Sequence, residues 1–99
     1  MAQIQSISKN AQYHGVVLTV RAGAGKNVFV AGTFNNWDPT ATSLKYTPDD
    51  DGFYYIGLTL PKGRYEYKFV IDGTWCTDPE NPNSVCNGQG TFNSVFVVD

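Results

Sequence analysis

Apolar and polar positions alternate along most of this chain with a period of two, and no apolar run is long. Residues 16–20, 28–33, 54–60, 65–71 and 91–98 are rich in β-branched and aromatic side chains, and each run is bounded by Gly, Pro, Asn or Asp. That is the pattern of short strands between turns. The separators are turn chemistry: Ala-Gly-Ala-Gly-Lys-Asn (22–27), Thr-Pro-Asp-Asp-Asp-Gly (47–52), Pro-Lys-Gly (61–63) and Asp-Gly (72–73). Pro-Lys-Gly and Asp-Gly are hairpin-sized, so the strands flanking each are expected to be antiparallel neighbours. No window places apolar residues at helical spacing. Short strands at this density predict an all-β fold, an immunoglobulin-like antiparallel β-sandwich.

Alternation also assigns faces. Tyr65, Tyr67, Phe69 and Ile71 fall on one side of their strand, and Arg64, Glu66, Lys68 and Val70 on the other. Lys68 is therefore expected on the wetter face. Tyr54, Ile56, Leu58 and Leu60 share a face and are the expected core partners of the tyrosine row. Residues 1–14 are polar and without periodicity, a leader or the end of a linker, which leaves 15–99 as the folded module. Residues 75–90 form the longest stretch without a strand pattern, with prolines, two cysteines and four Asn or Gln. Loops of that length are more often functional than accidental.

Composition narrows the classes. A chain of 99 residues with 41% hydrophobic and 14% aromatic content has room for one small core. A net charge of −2 and a pI near 5.1 provide no basic field, so neither nucleic acid nor an anionic membrane surface is an expected partner. No stretch reaches the roughly 18 apolar residues of a membrane-spanning helix. The N-terminus lacks the basic and apolar regions of a signal peptide. That tilts the compartment toward the cytoplasm, although an excised domain with an added Met has the same appearance. Cys76 and Cys86 close a short loop if bonded, which contributes about 2 to 3 kcal/mol in an oxidising compartment. Two free thiols are the equal alternative.

Two tryptophans carry the candidate chemistry. Trp37 follows Asn35-Asn36 and precedes Asp38-Pro39, and Trp75 follows the Asp72-Gly73 turn, so turn formers are expected to hold both indoles out on loops. An indole face is a rigid apolar plane that matches the axial C–H groups of a glucose ring, and its N–H remains free for water or a hydroxyl. A single loop tryptophan is as readily a ring capping the core; a pair beside Lys68, which lies on the strand feeding the second turn, favours a sugar. Lys68 donates to sugar hydroxyls, and Gln89, Thr91 and Asn93 exchange hydrogen bonds in both directions, as polyol recognition requires.

Catalysis finds little support. His14 is the only histidine, so neither a Ser-His-Asp triad nor a histidine metal site has a second candidate. Cys76 and Cys86 lack the further ligands zinc requires. Asp49-Asp50-Asp51, and Asp78 with Glu80, are carboxylate pairs of the type glycosidases use. The aspartate run fits a solvated hairpin tip, and no deep cleft is indicated. Gly-Ala-Gly-Lys (23–26) lacks the spacing and following helix of a phosphate loop.

At these residues the chain resembles the family 48 carbohydrate-binding modules, which include the glycogen-binding domain of AMP-activated protein kinase β subunits and N-terminal domains of branching and debranching enzymes. The matching elements are Val-Ala-Gly-Thr-Phe-Asn-Asn-Trp (30–37), Leu-Pro-Lys-Gly (60–63), Tyr-Glu-Tyr-Lys-Phe-Val-Ile-Asp-Gly-Thr-Trp (65–75), Asp-Pro-Glu-Asn-Pro-Asn (78–83) and Gly-Thr-Phe-Asn-Ser-Val (90–95). Together they span about residues 15–98. The resemblance implies an early-set immunoglobulin-like sandwich that binds α-1,4-linked glucans, with α-1,6-branched ones as a second class, and uses no cofactor or metal. Carried over, Trp37 and Trp75 stack, Lys68 is the lysine, and Thr91 and Asn93 hydrogen-bond. Gln89 departs from the kinase-type domain, which carries at that position a leucine that threads into a cyclic sugar. A disulfide between Cys76 and Cys86 would be a local elaboration.

The expectation is a non-enzymatic module for glycogen- or starch-like glucan. Two alternatives stand beside it: a docking or structural domain that uses the same aromatic surface against a partner protein, and an accessory piece of a glycoside hydrolase, branching enzyme or kinase-like assembly.

Overall fold

The computed structural model describes residues 2–6, 13–47 and 52–99. Among them the chain forms β1 (Ala2–Ser6), β2 (Tyr13–Arg21), β3 (Val28–Gly32), a 3-10 turn (Thr33–Asn35), β4 (Lys45–Tyr46), β5 (Phe53–Pro61), β6 (Gly63–Ile71), β7 (Thr74–Cys76), β8 (Ser84–Cys86) and β9 (Phe92–Val98). One sheet runs β1-β2-β5-β4. The other runs β3-β6-β9-β8, with β7 also on β6, and every pairing is antiparallel. This is the immunoglobulin-like β-sandwich expected.

The core lies between the sheets. Val16, Leu18 and Val20 of β2 and Tyr54 of β5 face Val30 of β3, Tyr67 and Phe69 of β6, and Phe96 and Val98 of β9, all buried. Ile56, Leu58 and Leu60 pack against this cluster, so the row beginning at Tyr54 meets the tyrosine row as its alternation implied. Burying each large side chain contributes about 1.5 to 3 kcal/mol. Residues 42–46 close one side: Val30 N–H donates to the Thr42 carbonyl and Leu44 N–H to the Val28 carbonyl, after which β4 pairs with β5.

Several expectations change. The strands flanking Pro61-Lys62-Gly63 are not neighbours: β5 pairs with β2 and β4, and β6 with β3, β7 and β9. The segment is a corner between sheets, where Gly63 at φ 156 redirects the chain and the Tyr65 hydroxyl donates to the Pro61 carbonyl at 2.7 Å. Turn-forming residues fix a change of direction, not the sheet in which the chain continues. Asp72-Gly73 does join neighbours, β6 and β7. Within the stretch expected to lack strand pattern, Ala2–Ser6 pairs along β2, and residues 75–90 contain the end of β7 and all of β8. The Ala-Gln-Ile-Gln-Ser of β1 is mostly polar, and β7 and β8 have three residues each, so their side chains alone do not signal a strand. Asp49-Asp50-Asp51 lies outside the described residues.

Candidate functional site

Strand β6 organises the site, because β3 and β7 both pair with its last residues: Val70 lies opposite Phe29 on β3 and Trp75 on β7. A strand has two hydrogen-bonding edges, so β3 and β7 flank β6 on opposite sides. The turn after β3 and strand β7 thereby bring one tryptophan each to the outward face that carries Glu66 and Lys68.

Trp37 is held by its own turn. Asn35 accepts from the Gly32 N–H at 2.9 Å, and its amide donates to the Val30 carbonyl and the Thr42 hydroxyl, each at 3.0 Å. The next two residues, Asn36 and Trp37, both take left-handed backbone at φ 58. Left-handed tryptophan is strained by roughly 1 kcal/mol or more, a cost usually met at positions held for function. The Trp37 N–H closes the turn onto the Gly32 carbonyl at 2.9 Å. Gly32 admits no side chain, since a Cβ there would lie 2.5 Å from the Glu66 carbonyl and 2.6 Å from the Phe34 ring. Asp38 caps the following bend: the Thr40 N–H, then its hydroxyl, holds the carboxyl below its ordinary range.

Trp75 lies on β7, two residues beyond a two-residue turn with Asp72 at φ 49 and Gly73 at φ 83, the type I′ geometry that suits a tight hairpin. It is thus a strand residue, not a turn residue, and 44% exposed.

A chain of polar contacts forms the floor. Lys68 Nζ donates to Thr91 Oγ1 at 3.0 Å, and Asn87 Nδ2 donates to the same oxygen at 2.6 Å and to Asn93 Oδ1 at 3.3 Å. Asn93 Nδ2 donates to Glu66 Oε1 at 2.9 Å, and Arg64 donates to Glu66 Oε2 at 2.8 Å. The Asn93 bond first, then the Arg64 bond, holds the Glu66 carboxyl below its ordinary value.

Of the six residues singled out from sequence, Trp37, Lys68, Trp75, Gln89 and Asn93 line one open depression of about 690 Å³. Thr91 does not line it and joins through its bonds to Lys68 and Asn87. Asn93 is only 6% exposed, so it backs the site more than it fronts it. Thr33, Glu66, Cys86 and Asn87 also line the depression and were not singled out. Glu66 shares Lys68's face of β6, which the alternation already displays. Cys76 and Cys86 are free thiols, half-buried and exposed respectively; the bonded alternative is not the one found. Burial, then the Asp78 charge, pushes the Cys76 thiol up. No cluster of His, Cys, Asp or Glu among the described residues could hold a metal.

A family described as the glycogen recognition site of AMP-activated protein kinase matches residues 16–99. The chain is 41% identical over 76 residues to the 5'-AMP-activated protein kinase subunit beta-1 of Sus scrofa, covering 77% of this chain and 57% of that protein. It is 41% identical over 76 residues to the human subunit beta-1, covering 77% of this chain and 26% of that one. It is 40% identical over 74 residues to the subunit beta-2 of Mus musculus, covering 75% and 26%. The chain thus spans between about a quarter and somewhat over half the length of these relatives. The maltogenic amylase of S. marinus superposes with a TM-score of 0.78 over all of this chain and 16% of its own at 20% identity, a likeness of fold. The chain belongs to the AMP-activated protein kinase glycogen-recognition family and is a non-catalytic carbohydrate-binding module.

Proposed function

We propose that the module binds α-1,4-linked glucan, glycogen or starch, by stacking sugar rings on Trp37 and Trp75 while Lys68, Gln89 and Thr91 meet the hydroxyls. The observation that carries this is the pair of indoles, delivered from opposite edges of β6 to the same depression as Lys68. Two indoles lining one depression offer a stacking face to each of two sugars, and α-1,4 linkages curve a chain into such a hollow where β-1,4 linkages run straight. Branched α-1,6 glucan is the second ligand class for the same depression. An open site that covers one face of a few sugars binds weakly, with a Kd of roughly 10 µM to 1 mM, or about 4 to 7 kcal/mol. Retention on a polymer then comes from multivalency or from attachment to a partner domain. The relatives' naming as kinase subunits supports such an attachment.

Calorimetric and tryptophan-fluorescence titration with maltoheptaose and β-cyclodextrin, with cellohexaose as control, tests the reading. Saturable binding of the α-glucans alone is expected. Trp37→Ala and Trp75→Ala should each weaken it by about 30-fold or more, or about 2 kcal/mol, without loss of fold. Unchanged affinity in both variants would remove the stacking mechanism, and binding of a partner protein in place of sugar would favour the docking role.

A further inference from the structure

The polar contacts under the two tryptophans run in one direction. The Gln89 N–H can only donate, and it donates to Asn87 Oδ1 at 2.9 Å, which fixes the Asn87 amide with its nitrogen toward Thr91 Oγ1 and Asn93 Oδ1. Asn93 must then present nitrogen on its other side, where an ionised carboxylate can only accept. Glu66 Oε1 stands there at 2.9 Å. Thr91 Oγ1 accepts from both Lys68 and Asn87, so both its lone pairs are used and its proton is left to donate outward.

We infer that Glu66 is a positioning residue for glucan: it holds the Asn93 amide with its oxygen toward Asn87, and together with the Gln89 N–H on Asn87 Oδ1 this keeps Asn87 donating to Thr91, whose hydroxyl proton is left for the ligand beside the Lys68 ammonium. This rests on the proposed sugar site, and it adds what that proposal lacks, a reason for the polarity of the floor. Asn93 is nearly buried, so a flipped amide there would set like groups against each other at both ends, oxygen facing the Glu66 carboxylate and nitrogen facing the Asn87 amide. The lowered carboxyl of Glu66 is consistent with a charge used as a fixed acceptor. Arg64 Nη1 on Oε2 holds the carboxylate from the far side and completes the chain.

Two variants separate positioning from direct contact. Glu66→Gln keeps a carbonyl acceptor for Asn93, and maltoheptaose affinity should stay within about twofold of the parent. Glu66→Leu removes the acceptor and should cost about five- to tenfold, the net worth of one such hydrogen bond, read well below the thermal midpoint, which the unpartnered Asn93 amide also lowers. In an Asn93→Ala background Glu66→Leu should cost nothing further, because its effect travels through Asn93. A full cost in that background would mean that Glu66 touches the sugar itself and would overturn the inference. A second readout needs no glucan: in the free protein, the side-chain amide NMR signals of Asn93 should be protected from exchange in the parent and in Glu66→Gln, and shifted and unprotected in Glu66→Leu, with those of Asn87, still held by the Gln89 N–H, moving less. Signals unmoved by Glu66→Leu would overturn the inference even if maltoheptaose binds; absence of maltoheptaose binding with the signals moved would fault only the proposed function.

Discussion

Tyr67 and Lys68 are consecutive on β6, and each anchors a polar network that reaches across to β9, yet the two networks differ in almost every physical respect. On the inner side, the Tyr67 hydroxyl donates to Asp78 Oδ2 at 2.7 Å and accepts from Asn81 Nδ2 at 3.0 Å, while Ser94 Oγ accepts from the Asp78 N–H at 2.8 Å. Tyr67, Asp78 and Ser94 are all nearly inaccessible. On the outer side, the contacts from Lys68 to Glu66 are exposed or partly so. A buried polar group must be satisfied within the protein, or it costs its full desolvation; an exposed one can exchange a protein partner for water or a ligand at little cost. The inner network therefore pins the 78–83 segment to the sandwich. The outer one is free to take up a sugar. One strand supplies both because its period of two sends successive residues to opposite faces.

If this division is sound, variants on the inner face should change stability and leave affinity alone. The largest effect is expected from Phe69→Ala, which empties a fully buried position and should cost about 3 to 5 kcal/mol in denaturant unfolding. The glucan affinity of the fraction that remains folded should be that of the parent. Tyr67→Phe is the more discriminating change: it keeps the ring, removes the phenol from a buried carboxylate, and should cost about 1.5 to 3 kcal/mol. Burial is the main cause that pushes the Tyr67 phenol well above its ordinary value. Its folded value is raised, so its contribution is fully present below about pH 10, the unfolded phenol's pKa, and is lost as pH climbs through the folded one. Tyr67→Phe should therefore flatten the alkaline limb of stability against pH. A fall in maltoheptaose affinity in Tyr67→Phe would break the comparison, because it would mean the two faces share one network.

The same alternation explains what the sequence disclosed and what it withheld. The faces of β6 and the core partners around Tyr54 were legible because a period of two admits one assignment once the core is known. Turn formers surround Trp37 and disclose its place on the turn after β3, whereas Trp75, expected on the turn after Asp72-Gly73, lies on β7. The Pro61-Lys62-Gly63 corner was not legible, since a hairpin and a sheet-changing corner use the same residues and differ only in which distant strands, β2 or β9, are available to pair. Glu66 was displayed on the right face beside Lys68. What marks it as part of the site is an acceptor relation to Asn93, 27 residues away, and such relations are absent from spacing. Asn35 illustrates the same limit: its motif was visible, but its three hydrogen bonds to Gly32, Val30 and Thr42 appear only when β3 and the 42–44 segment lie side by side.

The smallest expected effect concerns the turn that joins β6 to β7, and it sharpens the comparison by asking how little of that turn is needed. Asp72 has three attributes: left-handed backbone at φ 49, an oxygen that accepts from the Asn27 N–H at 2.8 Å, and a charge 3.6 Å from Lys26 Nζ with both side chains close to half exposed. Asparagine tolerates left-handed backbone better than most residues and retains the accepting oxygen, so Asp72→Asn gives up only the ion pair. Exposed pairs of this kind contribute about 0 to 1 kcal/mol and are screened by salt. The variant should therefore unfold within about 0.5 kcal/mol of the parent, with any difference vanishing in high salt, and should bind maltoheptaose unchanged, because Trp75 is presented by the type I′ backbone and not by the charge. A weakened affinity with intact stability would show that the Lys26–Asp72 pair helps to orient Trp75, and the boundary of the sugar site would then have to include the turn.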